Sequence, residues 1–182
     1  TIGFFENFAV YQCRFWDYES IQIKKDETVV KLKNNTTRLT LSLKHKNRAS
    51  CNIAFGKDNP QKYILCNGKH LPDYPLTDTT PFIDNGYRTD SVTLTGYLRN
   101  PPSSRPFDVS IPDMITGKEE KYQTDIDSLG RFTLRFPVLN SHNVFIDWGR
   151  TTIWSAVEPG ETYFLYVDSV SYTHLRAHET KA

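Results

Sequence analysis

The stretch "DSLGRFTLRFPV", Asp127–Val138, decides the fold class. Phe132, Leu134 and Phe136 recur at every second position, the period of a strand with one buried face. Gly130 stands just before them, where a tight turn needs positive φ. Working outward, the same grammar repeats in "SVTLTGYLRN", "PFDVSIPD", "EKYQTDID", "NVFIDWG", "TTIWSAV" and "ETYFLYVD". With Arg131–Val138 these make seven short strands, and turn signals fall between them every 8–12 residues or so. That pattern predicts a β-sandwich from about Ser91 to Asp168. Pro159-Gly160 before the last strand is in type II turn order.

Upstream, residues 1–68 read as a second strand-rich module. "YESIQIKK" sets Ile21 and Ile23 against Ser20, Gln22 and Lys24, and "TRLTLSLKH" sets Leu39, Leu41 and Leu43 against Arg38, Thr40 and Ser42. "KNN" at Lys33–Asn35 is the turn between "ETVVKLK" and the next strand. The opening "FFENFAVYQCRFW" is ambiguous, because Phe4, Phe8, Tyr11 and Phe15 would also line one face of a helix. Residues 69–90, rich in Pro, Asp, Thr and Gly, form the linker between the modules.

The composition sets limits. At 38% hydrophobic and 24% charged, the 182 residues suit a globular chain with a real core, not a disordered one. A formal net charge of +1 excludes an electrostatic nucleic-acid binder. No apolar run reaches the roughly 18 residues that span a bilayer as a helix. No signal-peptide pattern is visible, and the chain opens mid-sequence without a start methionine.

Cys13, Cys51 and Cys66 show no C-x-x-C spacing. "CNIAFGKDNPQKYILC" folds naturally as a hairpin; if Phe55 opposes Lys62, then Cys51 opposes Cys66. Directly opposed Cα atoms sit about 4.5 Å apart in a non-hydrogen-bonded pair, a separation a disulfide can bridge. The alternative is two small buried hydrophobes on the inner face. Both readings make these cysteines structural, and Cys13 reads as a lone buried thiol.

Chemistry is hard to find. Asp125, Asp127 and Gly130 occupy three places of a calcium loop, but Leu129 and Phe136 stand where further ligands belong, so the stretch reads as a hairpin turn with solvated acids. His45, His70 and His142 are isolated, and Ser141-His142 is no triad. Asp84 and Asp90 cannot be set at a glycosidase separation. There is no nucleophile elbow, phosphate-binding loop or cofactor motif. Trp16, Trp148 and Trp154 would stack on sugar rings if exposed, though Trp in a strand-rich chain usually packs inside. The chain reads as a binding or structural module with no catalytic residue, metal or cofactor of its own.

The last fourteen residues, 169–182, obey none of these patterns. Val170–Thr180, "VSYTHLRAHET", resembles letter for letter a translated frame of the adapter used in transposase-based sequencing libraries, and the join accommodates Ser169. Native sequence is therefore expected to end near Asp168, and His174 and His178 are not read as ligands.

The preceding residues resemble the N-terminal β-rich half of TlpA/ResA-like, thioredoxin-like thiol–disulfide oxidoreductases. The resemblance rests on "KHKNRASCNIAFG", "LPDYP", "DNGYRTDSVTLTGYLRN", "DIDSLGRFTLRFPVLN" and "VFIDWGRTTIWSAVEPGETYFLYVD". The D-x-x-G-x-F turn (Asp127, Gly130, Phe132) and the late P-G-E turn also resemble transthyretin-like and carboxypeptidase-regulatory sandwiches. The resemblance implies a periplasmic or cell-envelope protein in which this half docks a following thioredoxin domain that acts on envelope protein substrates. This chain lacks the C-x-x-C and the βαβ region, so no catalytic residue carries over. The alternative is an envelope β-sandwich that binds a glycan or a protein without enzymatic activity. Exposure of Trp148 and Trp154 on one face, with a groove between them, would mark it, and a buried pair would count against it.

Overall fold

The structure, a computed structural model, describes residues 2–35, 37–47, 49–64, 81, 89–100, 106–113, 116–148 and 151–168. Every element among them is a β-strand, and the chain divides into two compact units, Thr1–Phe82 and Ile83–Ala182. Most of the expected linker and all of the tail 169–182 lie outside the described residues.

The first unit is one antiparallel sheet of seven strands in chain order: β1 (Ile2–Phe4), β2 (Phe8–Tyr11), β3 (Arg14–Ile23), β4 (Thr28–Asn34), β5 (Thr37–Asn47), β6 (Ser50–Phe55) and β7 (Gln61–Ile64). The opening segment is strand, not helix. Phe8, Ala9 and Val10 are all buried, so both faces of β2 are covered and helical periodicity has no role there. Gln12 and Cys13, at φ 52° and 54°, make the two-residue turn that pairs Tyr11 with Arg14. The sheet curls on itself: Tyr11 of β2 stacks on Phe55 of β6 with ring centroids 4.8 Å apart. Trp16, Val30, Leu32, Leu41, Cys51 and Ile53 fill the core. Leu32 and Leu41 are fully buried, and each such side chain contributes about 1.5–3 kcal/mol.

The expected burial of Ile21 and Ile23 is corrected: they are 52% and 82% exposed. A bulge between Tyr18 and Ser20 shifts the register of β3, so that Ile21 pairs with Val30 and Ile23 with Thr28 at the end of the strand.

Tyr18 donates from its hydroxyl to the Phe5 carbonyl at 2.8 Å, and burial raises its phenol above the ordinary value. The folded state thus keeps this proton to higher pH than the unfolded chain does. Unfolded chains lose it from about pH 10, so this contribution to stability is complete below that value and declines above it. We expect the urea midpoint of the first unit to fall as the pH rises above about 10, and Tyr18→Phe to flatten that fall. An unchanged slope in Tyr18→Phe would assign the pH dependence to other groups.

The second unit is a sandwich of seven strands: β8 (Asp90–Arg99), β9 (Phe107–Pro112), β10 (Glu119–Thr124), β11 (Arg131–Val138), β12 (His142–Trp148), β13 (Thr151–Val157) and β14 (Thr162–Asp168). One sheet runs β10-β9-β12-β13; the other runs β11-β8-β14, with β14 parallel to β8. Phe132, Leu134, Phe136 and Val138 of β11 alternate buried against exposed Thr133, Arg135 and Pro137, as their period requires. They meet Phe107 and Val109 of β9 and Val144 and Ile146 of β12 in one core. Phe107 lies against Phe132, ring centroids 3.8 Å apart, and Tyr122 against Phe136 at 5.6 Å. Each pair joins one sheet to the other.

Both marked turns are present. Gly160, at φ 85°, follows Pro159, and Glu161 N donates to Glu158 O at 3.2 Å. Gly130 sits at φ 82°. Neither turn closes a hairpin, however: each carries the chain from one sheet to the other. The Asp127 carboxylate, expected to be solvated, instead accepts from Leu129 N at 2.9 Å, Arg131 N at 2.9 Å and Arg131 Nε at 2.7 Å. Asp127→Ala removes all three and is expected to lower stability by about 1–2 kcal/mol. A thermal-shift measurement against Asp125→Ala, an acid two residues away, checks it.

Candidate functional site

The cysteines come first, as the only site residues the sequence offered. Cys51 is a buried free thiol and burial pushes its pKa up, which disfavours the nucleophilic thiolate. The expected hairpin register is corrected: Ile53 opposes Gln61, and Cys51 opposes Tyr63. Moving the pairing by three residues, an odd number, places Cys51 beside an aromatic ring position and removes the geometric case for a bond to Cys66. Cys66 itself lies outside the described residues. Cys13, expected buried, is half-exposed at the tip of the β2–β3 turn, because a two-residue turn projects away from the core.

The histidines and acids stay apart. His45 is exposed on β5, and His142 donates from Nε2 to the Pro112 carbonyl at 2.7 Å, tying β12 to β9. Asp90 accepts from Ser91 N at 2.7 Å; His70 and Asp84 lie outside the described residues. Among the described residues, no three His, Cys, Asp or Glu side chains converge as metal ligands would.

The tryptophans divide. Trp16 is core, its indole N–H donating to Tyr11 O at 3.4 Å. Trp154 is 71% exposed on β13. The side chain of Trp148 lies outside the described residues. Strand parity explains Trp154: Val157 points into the core, so Trp154 and Ala156 point out of the sandwich. Its cross-strand partner is Phe145, which meets the indole edge to face with centroids 4.5 Å apart and an interplanar angle of 72°. Such contacts are worth about 0.5–1.5 kcal/mol beyond area burial, so the pair holds one orientation.

Next to Phe145 opens a groove of ≈ 470 Å³ at the β9–β10 turn, lined by Pro112, Asp113, Gly117, Lys118, Glu119 and Phe145. The turn is held by Asp113, whose carboxylate accepts from Thr116 N at 3.1 Å and Thr116 Oγ1 at 2.6 Å. Gly117 has φ 67° there. Across the outer face one cross-strand row runs Lys121, Ser110, Phe145, Trp154. The face thus offers an aromatic platform at one side and charged donors and acceptors at the other.

Phe145 and the groove were not singled out from sequence. A signal existed: in "NVFIDW" three apolar residues are consecutive, so a strand that buries Val144 and Ile146 must turn Phe145 outward. The groove had none, since it depends on which strand lies beside β9. Fold and site together define an all-β module that carries a surface aromatic platform. Comparison with protein-family models, with curated proteins and with solved structures gives no match to this chain.

Proposed function

We propose that the chain is a non-catalytic recognition region of a cell-envelope protein, whose β-sandwich docks a glycan or protein ligand on the Trp154 face. The observation that carries this reading is the exposed Trp154, braced by Phe145 beside the groove. Aromatic rings bury some 150–250 Å² when covered, so an indole left in water on a rigid sheet is a large store of binding free energy. The test is retention of the labelled full chain on arrays of oligosaccharides and of ten-residue peptides. We expect one class to retain it and Trp154→Ala to cut retention at least tenfold. Equal retention of both proteins, or none on either array, would overturn the reading.

A second reading follows from the sequence resemblance: the chain is the scaffold half of a periplasmic thioredoxin-like thiol–disulfide oxidoreductase, docking its own reductase domain. The resemblance covers strands β6, β8 and β11–β14, and the raised pKa of Cys51 supports a purely structural role within the fragment. Under this reading the chain reduces no insulin disulfides, and unfragmented DNA reads across the Asp168 codon continue into a helical stretch and a C-x-x-C. Insulin reduction by the chain itself, or a frame that stops within a few codons, would overturn it.

A further inference from the structure

We infer that the Trp154 face takes an uncharged saccharide chain, bound across the strands with one sugar ring on the indole and the next in the groove beside Phe145. This rests on the recognition reading above and names its ligand class.

Three features of the face select that chemistry. Trp154 and Phe145 supply a flat, weakly polar surface, whose natural partner is an equally flat group with C–H bonds on its face. The groove beside them is mixed: most of its surface is apolar, Pro112 and Phe145 among it, and Asp113, Lys118 and Glu119 set charged groups along it. Carboxylates accept strongly from hydroxyl groups and the ammonium donates to them, so the edge of the ligand must carry both donors and acceptors. A pyranose ring has this division, apolar C–H bonds on its faces and hydroxyls around its rim.

Charge narrows the choice further. Among the described residues Asp108, Asp113 and Glu119 stand against Lys118 and Lys121, the last at the far end of the cross-strand row. Glu119 and Lys121 lie 3.9 Å apart and largely offset each other. A phosphate or sulfated chain would need excess cations here, and the described residues of the face hold no such excess. Length fits as well. Four strands at about 4.8 Å spacing put roughly 14 Å between the Trp154 and Lys121 positions, room for roughly three linked rings.

The experiment titrates the full chain, ¹⁵N-labelled, with cello-, xylo-, manno- and chitohexaose. The indole N–H signal of Trp154 is assigned by its loss in Trp154→Phe. We expect at least one hexasaccharide to move that signal with a Kd between about 10 μM and 1 mM, a range normal for shallow sites. Read from the backbone amide shifts of the same labelled chain, Trp154→Ala should weaken binding tenfold or more, and Trp154→Phe less. Because Trp154 is exposed, Trp154→Ala keeps the remaining spectrum, which verifies its fold. The inference is overturned if no hexasaccharide moves the signal at 10 mM-scale concentrations, or if binding survives Trp154→Ala undiminished. An extended peptide moving the signal where sugars do not would overturn the saccharide inference and leave the recognition reading standing. If neither moves it, both fail.

Discussion

Phe107→Ala lowers the stability of the second unit by about 3–5 kcal/mol, the largest single effect expected in this chain. Phe107 is fully buried on β9, in the four-stranded sheet, and its ring lies on Phe132 of the three-stranded sheet. Truncation therefore removes a contact between the two sheets and opens a void that neither hydrogen-bonded ladder can close by itself. Because a domain of this size holds only about 5–15 kcal/mol in all, the variant should be near the limit of folding. Urea unfolding followed by near-ultraviolet circular dichroism gives the measurement. The transition of the second unit should move to lower urea while that of the first stays in place. A loss below about 1 kcal/mol would mean that Phe107 does not join the sheets.

Gly96→Ala acts from the opposite direction and costs about 3 kcal/mol. Gly96 lies on β8 between Phe132 of β11 and Leu165 of β14. An added Cβ would collide with the ring of Phe132 and come within 2.9 Å of the Leu165 carbonyl oxygen. Phe132 cannot retreat, since Phe107 closes its other side at 3.8 Å between centroids. The missing side chain is therefore what allows a large ring to cross the centre of the sheet. Trimming that ring should relieve the clash: in Gly96→Ala/Phe132→Leu the losses are expected to fall short of additive by about 1–2 kcal/mol. Additive losses would locate the strain elsewhere.

The division between local and global information runs through particular residues. Each of the seven sandwich strands was legible, because alternation such as Phe132, Leu134, Phe136 is a property of neighbours along the chain. Gly130 and Gly160 were legible for the same reason: positive φ is a local demand. The consequence of those turns was not. The Gly130 turn read as a hairpin, yet it and the Pro159-Gly160 turn each carry the chain from one sheet to the other, because strand partners are chosen by what the far faces bury. Cys51 makes the point in one pair, since loop chemistry alone could not separate opposition to Cys66 from the observed opposition to Tyr63.

The candidate site lies further still from the sequence. Alternation could assign Trp154 a face, but not whether another layer covers it. Burial of Trp16 and exposure of Trp154 arise from the same residue type in similar strands. The groove needs β9 and β12 side by side, a pairing of segments more than thirty residues apart in which Phe145 meets Ser110. By itself, then, the sequence determined the all-β class, the strands and the turns that end them, because these follow from steric and hydrophobic preferences acting over a few residues. Only the tertiary structure decided registers, sheet membership and which aromatic remains in water, because those depend on the packing of distant segments into a shared core.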